Sequence, residues 1–355
     1  MMKFLNKLKG FWGNAVAVDL GTATTLIYIK HRGIVLREPS VVAVDQYTGE
    51  VVACGEEAKK MLGKTPEGLI AQRPMKDGVI ADFDLVQEML YNFLSRVLSK
   101  NLFFRPKVLI AVPSGITEVE KRAVRDSAEN AGATGVLLVS EPIAAAVGIG
   151  LPINEPTGNM IIDIGGGTTE IAVISLSGLV TNISLRVAGD EMDEAIASYI
   201  REKYRVAIGE QTAEQIKIYL GNAFPSKVEE SMEVRGRDLV TGAPKTIEIT
   251  STEVREALKS PINQIIEAIK KALEKTPPEL VADIIDRGIY LTGGGSLLKG
   301  LDELIMEETN IPVKKVDNPL ECVVMGAGKI IDNIEDYEHV LMKQKKSSIK
   351  RRAEV

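Results

Sequence analysis

Runs of apolar residues broken by small ones set the first pattern along the chain. Ala15-Val16-Ala17-Val18 precedes Asp19-Leu20-Gly21-Thr22-Ala23-Thr24-Thr25, and Leu26-Ile27-Tyr28-Ile29 follows it. The arrangement returns as Met160-Ile161-Ile162, then Asp163-Ile164-Gly165-Gly166-Gly167-Thr168-Thr169, then Ile171-Ala172-Val173-Ile174. Short apolar runs bounded by turn residues are of buried-strand type, so each copy predicts a β-hairpin, and two copies imply two similar halves. Val41-Val42-Ala43-Val44 and Val51-Val52-Ala53 predict another strand pair. Between them and the second hairpin, Leu85, Met89, Leu90, Phe93, Leu94, Val97 and Leu98 share one side of a helix expected from about Leu85 to Ser99, with Asp84 as its N-cap. A third glycine cluster, Leu291-Thr292-Gly293-Gly294-Gly295-Ser296, follows the apolar Gly288-Ile289-Tyr290 and precedes a helical pattern from Leu297 to Met306. Thr276-Pro277-Pro278-Glu279 marks a helix boundary.

Both ends of the chain carry patterns of their own. Met1, Phe4, Leu5, Leu8, Phe11 and Trp12 recur at helical spacing while Lys3, Lys7 and Lys9 occupy the remaining surface, which predicts an amphipathic helix suited to an anionic membrane surface, with a helix packed on the body of the protein as the alternative. Trp12 is the only tryptophan. The stretch is too short to span a bilayer and lacks the continuous apolar core and cleavage site of a signal peptide. At the other end Lys343, Lys345, Lys346, Lys350, Arg351 and Arg352 stand without an intervening acid. Such a block is most simply a solvated tail, with a specific binding role as the alternative.

Composition narrows the class. A chain of 355 residues has room for two domains or one bilobed unit. Its net charge of −6, reached despite the basic tail, leaves an acidic body that argues against a nucleic-acid-binding surface. Cys54 and Cys322 stand far apart, so neither a disulfide framework nor a zinc site is expected. Two histidines, His31 and His339, make a His-rich metal site or a Ser/His/Asp triad unlikely chemistry for this chain.

The glycine clusters carry the chemistry. A tight turn of small residues leaves backbone N–H groups bare, which makes an anion cradle, and Thr hydroxyls add hydrogen bonds to phosphate oxygens. The leading Asp of each copy can hold a cation through water. Two facing cradles would grip a polyphosphate and its Mg²⁺ from both sides. Strand, glycines and helix at the third cluster suit close backbone approach to a nucleotide. Other phosphate motifs are excluded: a Walker A loop ending at Lys329 would need Gly at Val323 and Ser or Thr at Ile330, and G-x-G-x-x-G meets Glu170 or Leu298 in place of its last Gly.

Paired phosphate hairpins with a later adenosine loop resemble the actin, Hsp70 and sugar-kinase superfamily. Within it Arg73-Pro74-Met75-Lys76-Asp77-Gly78-Val79-Ile80-Ala81-Asp82-Phe83, Val112-Pro113-Ser114-Gly115, Glu141-Pro142-Ile143-Ala144-Ala145-Ala146 and Ala188-Gly189-Asp190-Glu191-Met192-Asp193-Glu194-Ala195 are similar to the MreB family of bacterial actins, from about Ala15 to Ile331. One position departs: Thr24 stands where that family usually has Asn.

The resemblance implies an α/β, actin-like (ribonuclease-H-like) two-lobed ATPase. A membrane-binding helix (1–13) would lead into a first lobe (14–157) with a small inserted subdomain (40–82). A second lobe (158–335) with its own insert (187–251) and a basic tail (336–355) would follow. It implies ATP and Mg²⁺ as ligands, with Gly21, Thr22, Ala23, Thr24, Gly165, Gly166, Gly167 and Thr168 on the phosphates, Asp19 and Asp163 on the hydrated metal, and Gly293, Gly294 and Gly295 facing Glu214 and Lys217 around ribose and adenine. Glu214 and Lys217 lie three apart on a helix starting near Thr212, so they share a face; the residues alone allow an ordinary surface ion pair. For hydrolysis the family match selects Glu141 as the acid that activates water, with Thr168 orienting it. By itself Glu141 reads more readily as a helix N-terminal acid favoured by the macrodipole, and the family match reverses that order. Lys329 has no catalytic part, and Gly326 and Gly328 would let helices cross closely.

The same resemblance implies slow ATP hydrolysis coupled to paired antiparallel filaments on the inner face of the cytoplasmic membrane. Leu102 and Phe103 would join Phe4, Leu5, Leu8, Phe11 and Trp12 in membrane contact. RodZ, MreC, MreD and the cell-wall synthesis machinery would be the partners, and rod cell shape the outcome. Two other classes share the ATPase core. An Hsp70-like chaperone would need a substrate domain beyond the short stretch after Ile331, and a small-molecule kinase would need a second substrate pocket.

Overall fold

The computed structural model describes residues 15–98 and 106–342. The amphipathic segment with Phe4, Leu5, Leu8, Phe11 and Trp12, the pair Leu102 and Phe103, and the basic residues from Lys343 onward lie outside the described residues.

Strand β1 (Val16–Leu20) and β2 (Thr24–Ile29) form the first hairpin, with Asp19 opposite Leu26 and Leu20 opposite Thr25. β3 (Gly33–Pro39) extends it. The chain then leaves this sheet for a smaller one made of β4 (Val42–Asp45), β5 (Val51–Cys54) and β6 (Leu69–Gln72), with helix α1 (Glu56–Met61) against it, and for a short hairpin of β7 (Met75–Lys76) and β8 (Val79–Ile80). It returns through α2 (Phe83–Val97), β9 (Lys107–Val112), α3 (Glu118–Asn130) and β10 (Gly135–Ser140). The first large sheet has the order β10-β9-β1-β2-β3.

Helix α4 (Glu141–Ile149) leads to the second hairpin, β11 (Asn159–Ile164) and β12 (Thr169–Ser175), extended by β13 (Gly178–Leu185). A second insert holds α5 (Gly189–Tyr204), β14 (Val206–Ala207), α6 (Glu210–Leu220), β15 (Ser231–Asp238) and β16 (Pro244–Thr250). After α7 (Ser251–Lys275) and α8 (Pro278–Arg287), β17 (Ile289–Thr292) rejoins the sheet, followed by α9 (Leu301–Thr309), β18 (Val313–Lys315), α10 (Cys322–Asp332) and α11 (Ile334–Tyr337). This sheet has the order β13-β12-β11-β17-β18. Three antiparallel strands followed by two parallel ones, inward from the same edge, occur in both sheets, so the sequence repeat is a repeat of architecture.

Both sheets bury apolar side chains on two faces. One face of each packs on its own lobe's helices; Val18, Ile27, Met89 and Phe93 belong to the first such core, Ile162, Ile196 and Ile265 to the second. The opposite faces share a third core, in which Ala17 and Leu109 from one sheet and Ile161 and Ala172 from the other meet Ala144, Ala145, Val324 and Ala327 of α4 and α10. These two helices join the lobes at the base. They approach so closely that a side chain on Gly148 would strike the carbonyl of Cys322 and one on Gly326 the carbonyl of Ala144, while Gly328 lies on the Tyr28 ring. Lys329 Nζ donates to Val147 O (3.2 Å) and Gly148 O (2.6 Å), so it satisfies the carboxyl end of α4. Cys54 and Cys322 are buried and unpaired.

Several element ends differ from the sequence reading. Asp82, not Asp84, caps α2, its carboxylate accepting from Leu85 N at 3.1 Å, and the helix stops at Val97, where Leu98 turns extended. Asp84 instead lies in the first turn, where the helix dipole also favours an acid. Helix α6 starts at Glu210 behind Gly209. After the third glycine cluster a 3₁₀ turn, Gly294–Leu297, intervenes, and α9 begins only at Leu301, because Gly300 at φ +71° redirects the chain beside Phe224. The segment from residue 336 is packed, not tail: Leu341 bridges Val139 and Met342 N donates to Leu138 O at 2.9 Å. The basic block starts beyond it.

Candidate functional site

Each hairpin turn is held by residues that the sheet brings beside it. At the first, Ser40 Oγ donates to Gly21 O (2.6 Å) and bonds Thr25 Oγ1 (2.9 Å). The second is tied to the start of α5: Gly189 N donates to Gly165 O (3.2 Å), Asp190 N to Gly166 O (2.8 Å), and Thr169 Oγ1 to Val187 O (2.7 Å). The turns touch across the gap between lobes. A Cβ on Gly166 would lie 2.6 Å from that of Ala23, and one on Gly167 2.8 Å from Thr22 Oγ1. Glycine is required here by approach, not by dihedral angle. Gly78, at φ +73°, closes over the junction, its N–H donating to Thr22 Oγ1 at 3.1 Å and its α-carbon against the Thr168 side chain.

Around this junction lies an interlobe cavity of about 460 Å³. Its wall brings together Asp19, Gly21, Thr22, Ala23, Thr24, Glu141, Asp163, Gly165, Gly166, Gly167, Thr168, Glu214, Lys217, Gly293, Gly294 and Gly295. Every described site residue selected from the sequence is therefore on one surface. The third glycine cluster packs directly behind the second hairpin: a side chain on Gly293, at φ +82°, would strike Asp163 Oδ1 and Ile164 O. Leu297, Leu298, Ile218 and Leu320 add an apolar wall at that end, with Ile218 and Leu297 more than half exposed. A flat apolar group fits there, with polar groups at the far end of the cavity.

The polar end is strongly acidic. Asp19 is pushed up to about 7 and Asp163 to about 8, in each case by burial first, with the charges of Asp19 and Glu170 adding to the rise of Asp163. Glu141, at the first position of α4 and 8 % exposed, is raised well above the usual carboxylate range by burial and by Glu170, Asp19 and Asp163. Glu170 is raised as well, burial outweighing its bonds from Ser114 and Ser184. No lysine or arginine lowers any of the four. Buried carboxylates without a cationic partner suit a bound cation. Among the described residues no group of three or more His, Cys, Asp or Glu side chains converges as a direct metal cage. The set fits an ion that keeps its water shell and is shared with phosphate oxygens, as Mg²⁺ does.

Glu214 and Lys217 share the cavity wall but not a bond. Lys217 Nζ donates to Asp193 Oδ2 and Gly189 O, both at 2.7 Å, so it braces α6 on α5; burial still holds Asp193 up at about 6 against this pairing. Glu214 pairs with Lys59 of the first insert at 2.8 Å. Arg73 likewise reaches Glu210 at 2.6 Å, so the inserts meet across the mouth.

Sequence reasoning passed over Glu170, which faces Asp163 across the hairpin and accepts from Ser114 N at 3.1 Å and from Ser114 Oγ, a contact between lobes. Strand alternation from Asp163 through the turn would have placed both acids at one level.

A profile of the MreB/Mbl protein family matches residues 13–339. The chain belongs to this family. Relatives at the same level of similarity include the cell shape-determining protein Mbl of Bacillus cereus, 52 % identical over 320 residues covering 90 % of this chain and 96 % of that protein. The cell shape-determining protein MreB of Escherichia coli is 52 % identical over 337 residues, 93 % and 97 % of the two chains. Among solved structures, MreB5 of Spiroplasma citri bound to ADP superposes with a TM-score of 0.86 at 38 % identity, over 91 % of this chain and 98 % of that one. Its AMPPNP complex gives 0.87. MamK, solved as a double helical filament, shares the fold at 24 % identity and a TM-score of 0.75. The two sheets of this family member are thus the two lobes of an actin fold.

Proposed function

We propose that this protein is a cell shape-determining, actin-like ATPase that binds ATP with Mg²⁺, hydrolyses it slowly and couples that cycle to assembly of paired antiparallel filaments on the inner face of the cytoplasmic membrane. The observation that carries the reading is the convergence of both hairpin turns, the carboxylates of Asp19, Glu141 and Asp163, which have no cationic partner, and the third glycine cluster on one interlobe cavity. That MreB5 of Spiroplasma citri is named as bound to ADP and to AMPPNP supports nucleotide as the occupant.

Backbone N–H groups of the two turns, with Thr22, Thr24 and Thr168, bind and orient the phosphates. Asp19 and Asp163 would hold the hydrated divalent ion, which when bound supplies charge neutralisation at the phosphates. Glu141 accepts a proton from the attacking water, and burial beside Glu170, Asp19 and Asp163, which raises it well above the usual carboxylate range, makes it a stronger base than an exposed carboxylate. Thr168, held against Gly78, orients the same water. Gly293 to Gly295 and the apolar wall take adenine, and Glu214 the ribose side. Lys217 acts by fixing α6 on α5. No covalent intermediate is required, because phosphoryl transfer to water proceeds by positioning and charge stabilisation.

Occupancy by a ligand that touches both lobes favours the closed form, and loss of the terminal phosphate removes that preference. Filaments on the membrane would use the apolar residues Phe4, Leu5, Leu8, Phe11, Trp12, Leu102 and Phe103, multiplied by avidity along the polymer, and would guide cell-wall synthesis through RodZ, MreC and MreD. Among the described residues no helix is long and apolar enough to cross a membrane.

Sedimentation of the purified protein with ATP, Mg²⁺ and lipid vesicles tests the reading. Nucleotide-dependent pelleting with vesicles is expected. A monomer under all conditions that transfers phosphate to a small molecule would overturn it.

A further inference from the structure

One buried position sets the two hairpins apart in chemistry. The repeat that carries Asp19 to Asp163 carries Leu26 to Glu170, and the registers agree: Asp19 lies opposite Leu26, Asp163 opposite Glu170. In each lobe the residue stands on the sheet face turned toward the other lobe. Leu26 belongs to the shared core with Ala17, and Ile161 and Ala172, on the same face as Asp163 and Glu170, belong to it too. Glu170 is 1 % exposed, and no lysine or arginine lowers it. A buried carboxylate without a cation costs more than a leucine at the matching place, so its presence calls for a partner that leucine could not hold.

That partner comes from the first lobe. Ser114, in the loop between β9 and α3, donates its N–H to Glu170 Oε2 at 3.1 Å; its hydroxyl lies against the same oxygen and 2.6 Å from Asn182 Oδ1. Gly115 packs beside it, so that a Cβ there would lie 3.1 Å from that of Ser184, the residue opposite Glu170 on β13. The second sheet thus seats a loop of the first lobe on Glu170, Asn182 and Ser184. The same loop reaches the cavity. Pro113 is part of its wall, and Gly78 lies against both the Pro113 ring and the Thr168 side chain. Thr168 stands two residues before Glu170, its carbonyl accepting from Gly165 N at 2.8 Å. The contacts close a ring: Glu170 to Ser114, Pro113 to Gly78, Gly78 to Thr168, and along the chain back to Glu170.

We propose that Ser114 and Glu170 form a latch between the lobes that fixes Thr168 and the Pro113 wall for hydrolysis, with Glu170 as a positioning residue. This rests on the ATPase reading above and adds to it the contact that makes hydrolysis depend on the lobes being held together at the phosphate end of the cavity. Neither Ser114 nor Glu170 is among the residues that line the cavity, so affinity for nucleotide stays with the hairpin turns. The pair acts through Pro113, Gly78 and Thr168, and a small displacement of a water-orienting group is enough to slow a reaction that depends on alignment.

Two measurements on the full chain test it. Amide hydrogen exchange of the nucleotide-free protein reads the contact itself: protection of the Ser114 N–H is expected to fall at least about tenfold in Glu170→Leu and to persist in Glu170→Gln, which keeps an oxygen to accept it. Phosphate release at saturating ATP and one protein concentration, with ATP binding titrated separately, reads its use. Glu170→Leu and Ser114→Ala are expected to lower kcat at least about tenfold with ATP affinity within about twofold of wild type, whereas Glu170→Gln and Ser114→Thr lose no more than about threefold. Combining Glu170→Leu with Ser114→Ala adds little to either loss, because one contact is removed twice. Thermal melts separate positioning from support: Glu170→Leu places the first hairpin's residue in the second, so the nucleotide-free variant should melt at or above the wild-type temperature although its turnover falls. Ser114 exchange unchanged by Glu170→Leu overturns the latch whatever the turnover. Equal turnover in Glu170→Leu and wild type, or a loss of kcat that merely follows a loss of melting temperature, overturns the positioning role. A wild-type chain with the expected exchange but no ATP turnover sinks the ATPase reading and the use of the latch with it, while the contact stands.

Discussion

Asp19, Glu141, Asp163 and Glu170 repel one another in a buried place, and the protein without metal must carry that penalty. The sign of its pH dependence follows. Below 3.8 folded and unfolded chains both hold the Asp19 and Asp163 protons; between 3.8 and about 7 or 8 the folded chain keeps protons that the unfolded one has released, so stability falls as pH rises through that window. Nucleotide-free, metal-free protein is expected to melt at higher temperature at pH 5.5 than at pH 8, with a difference of a few kcal/mol across the site. Asp163→Asn should flatten the profile in thermal melts at fixed ionic strength; an unchanged slope would clear Asp163 of the effect. Glu141→Gln preserves shape and removes the base, so ATP binding should persist while phosphate release drops at least about a hundredfold. Turnover measured with a phosphate sensor near the wild-type value would take the proton-accepting role from Glu141. Asp19, Asp163 and Glu141 were legible in the sequence, each at the end of an apolar strand. Glu170 was not, because its significance comes from register with Asp163 and from Ser114 across the lobe boundary.

At the level of elements, the two hairpins could be read because a buried strand, a small-residue turn and a second strand leave a local record in composition. What they do to each other could not. The contact of Gly166 with Ala23 and of Gly167 with Thr22 arises from the placement of two sheets, and nothing within either motif encodes it. Helix α2 was recognised by its apolar stripe, yet its cap was misplaced by two residues, since Asp82 and Asp84 are equally good capping types and only the backbone decides between them. Strand β18, three residues long, and the return of Leu341 and Met342 to β10 lack a pattern long enough to detect. The crossing of α4 and α10 was partly legible in Gly326 and Gly328, and it yields a test. Gly326→Val would force the helices apart at Ala144, and overpacking of this kind costs about 1–3 kcal/mol or more. Because α4 starts with Glu141, the same variant is expected to lose ATP turnover out of proportion to its fall in melting temperature, whereas Gly135→Ala, in open space and without a left-handed backbone, leaves turnover intact. Equal turnover in both variants would detach the crossing from the site.

Across the whole molecule the two ways of joining the lobes differ in kind. At the base they share an apolar core around α4 and α10, buried and close-packed. At the mouth the inserts meet through ion pairs, Lys59 with Glu214 at 2.8 Å and Arg73 with Glu210 at 2.6 Å, whose side chains are between 18 % and 49 % exposed. Pairs of that exposure contribute about 0.2–1 kcal/mol and weaken with salt. Opening at the mouth therefore costs little compared with separating the base, and a ligand held by both hairpins can set the balance, since an equilibrium moves only by the ligand's difference in affinity for the two forms. Removing Lys59 touches closure without touching the phosphate cradle, because its partner Glu214 lies on α6 and both stand apart from the hairpin turns. Lys59→Ala should weaken ATP binding by about two- to fivefold at low ionic strength, and the deficit should shrink toward zero in 0.5 M salt, of the order of the screening length there. A double-mutant cycle with Glu214→Ala, read by titration of a fluorescent ATP analogue, assigns the loss: coupling between the two positions marks the ion pair as part of closure, whereas strictly additive losses would mean that Glu214 acts on the ribose side alone and that the mouth does not report on the nucleotide.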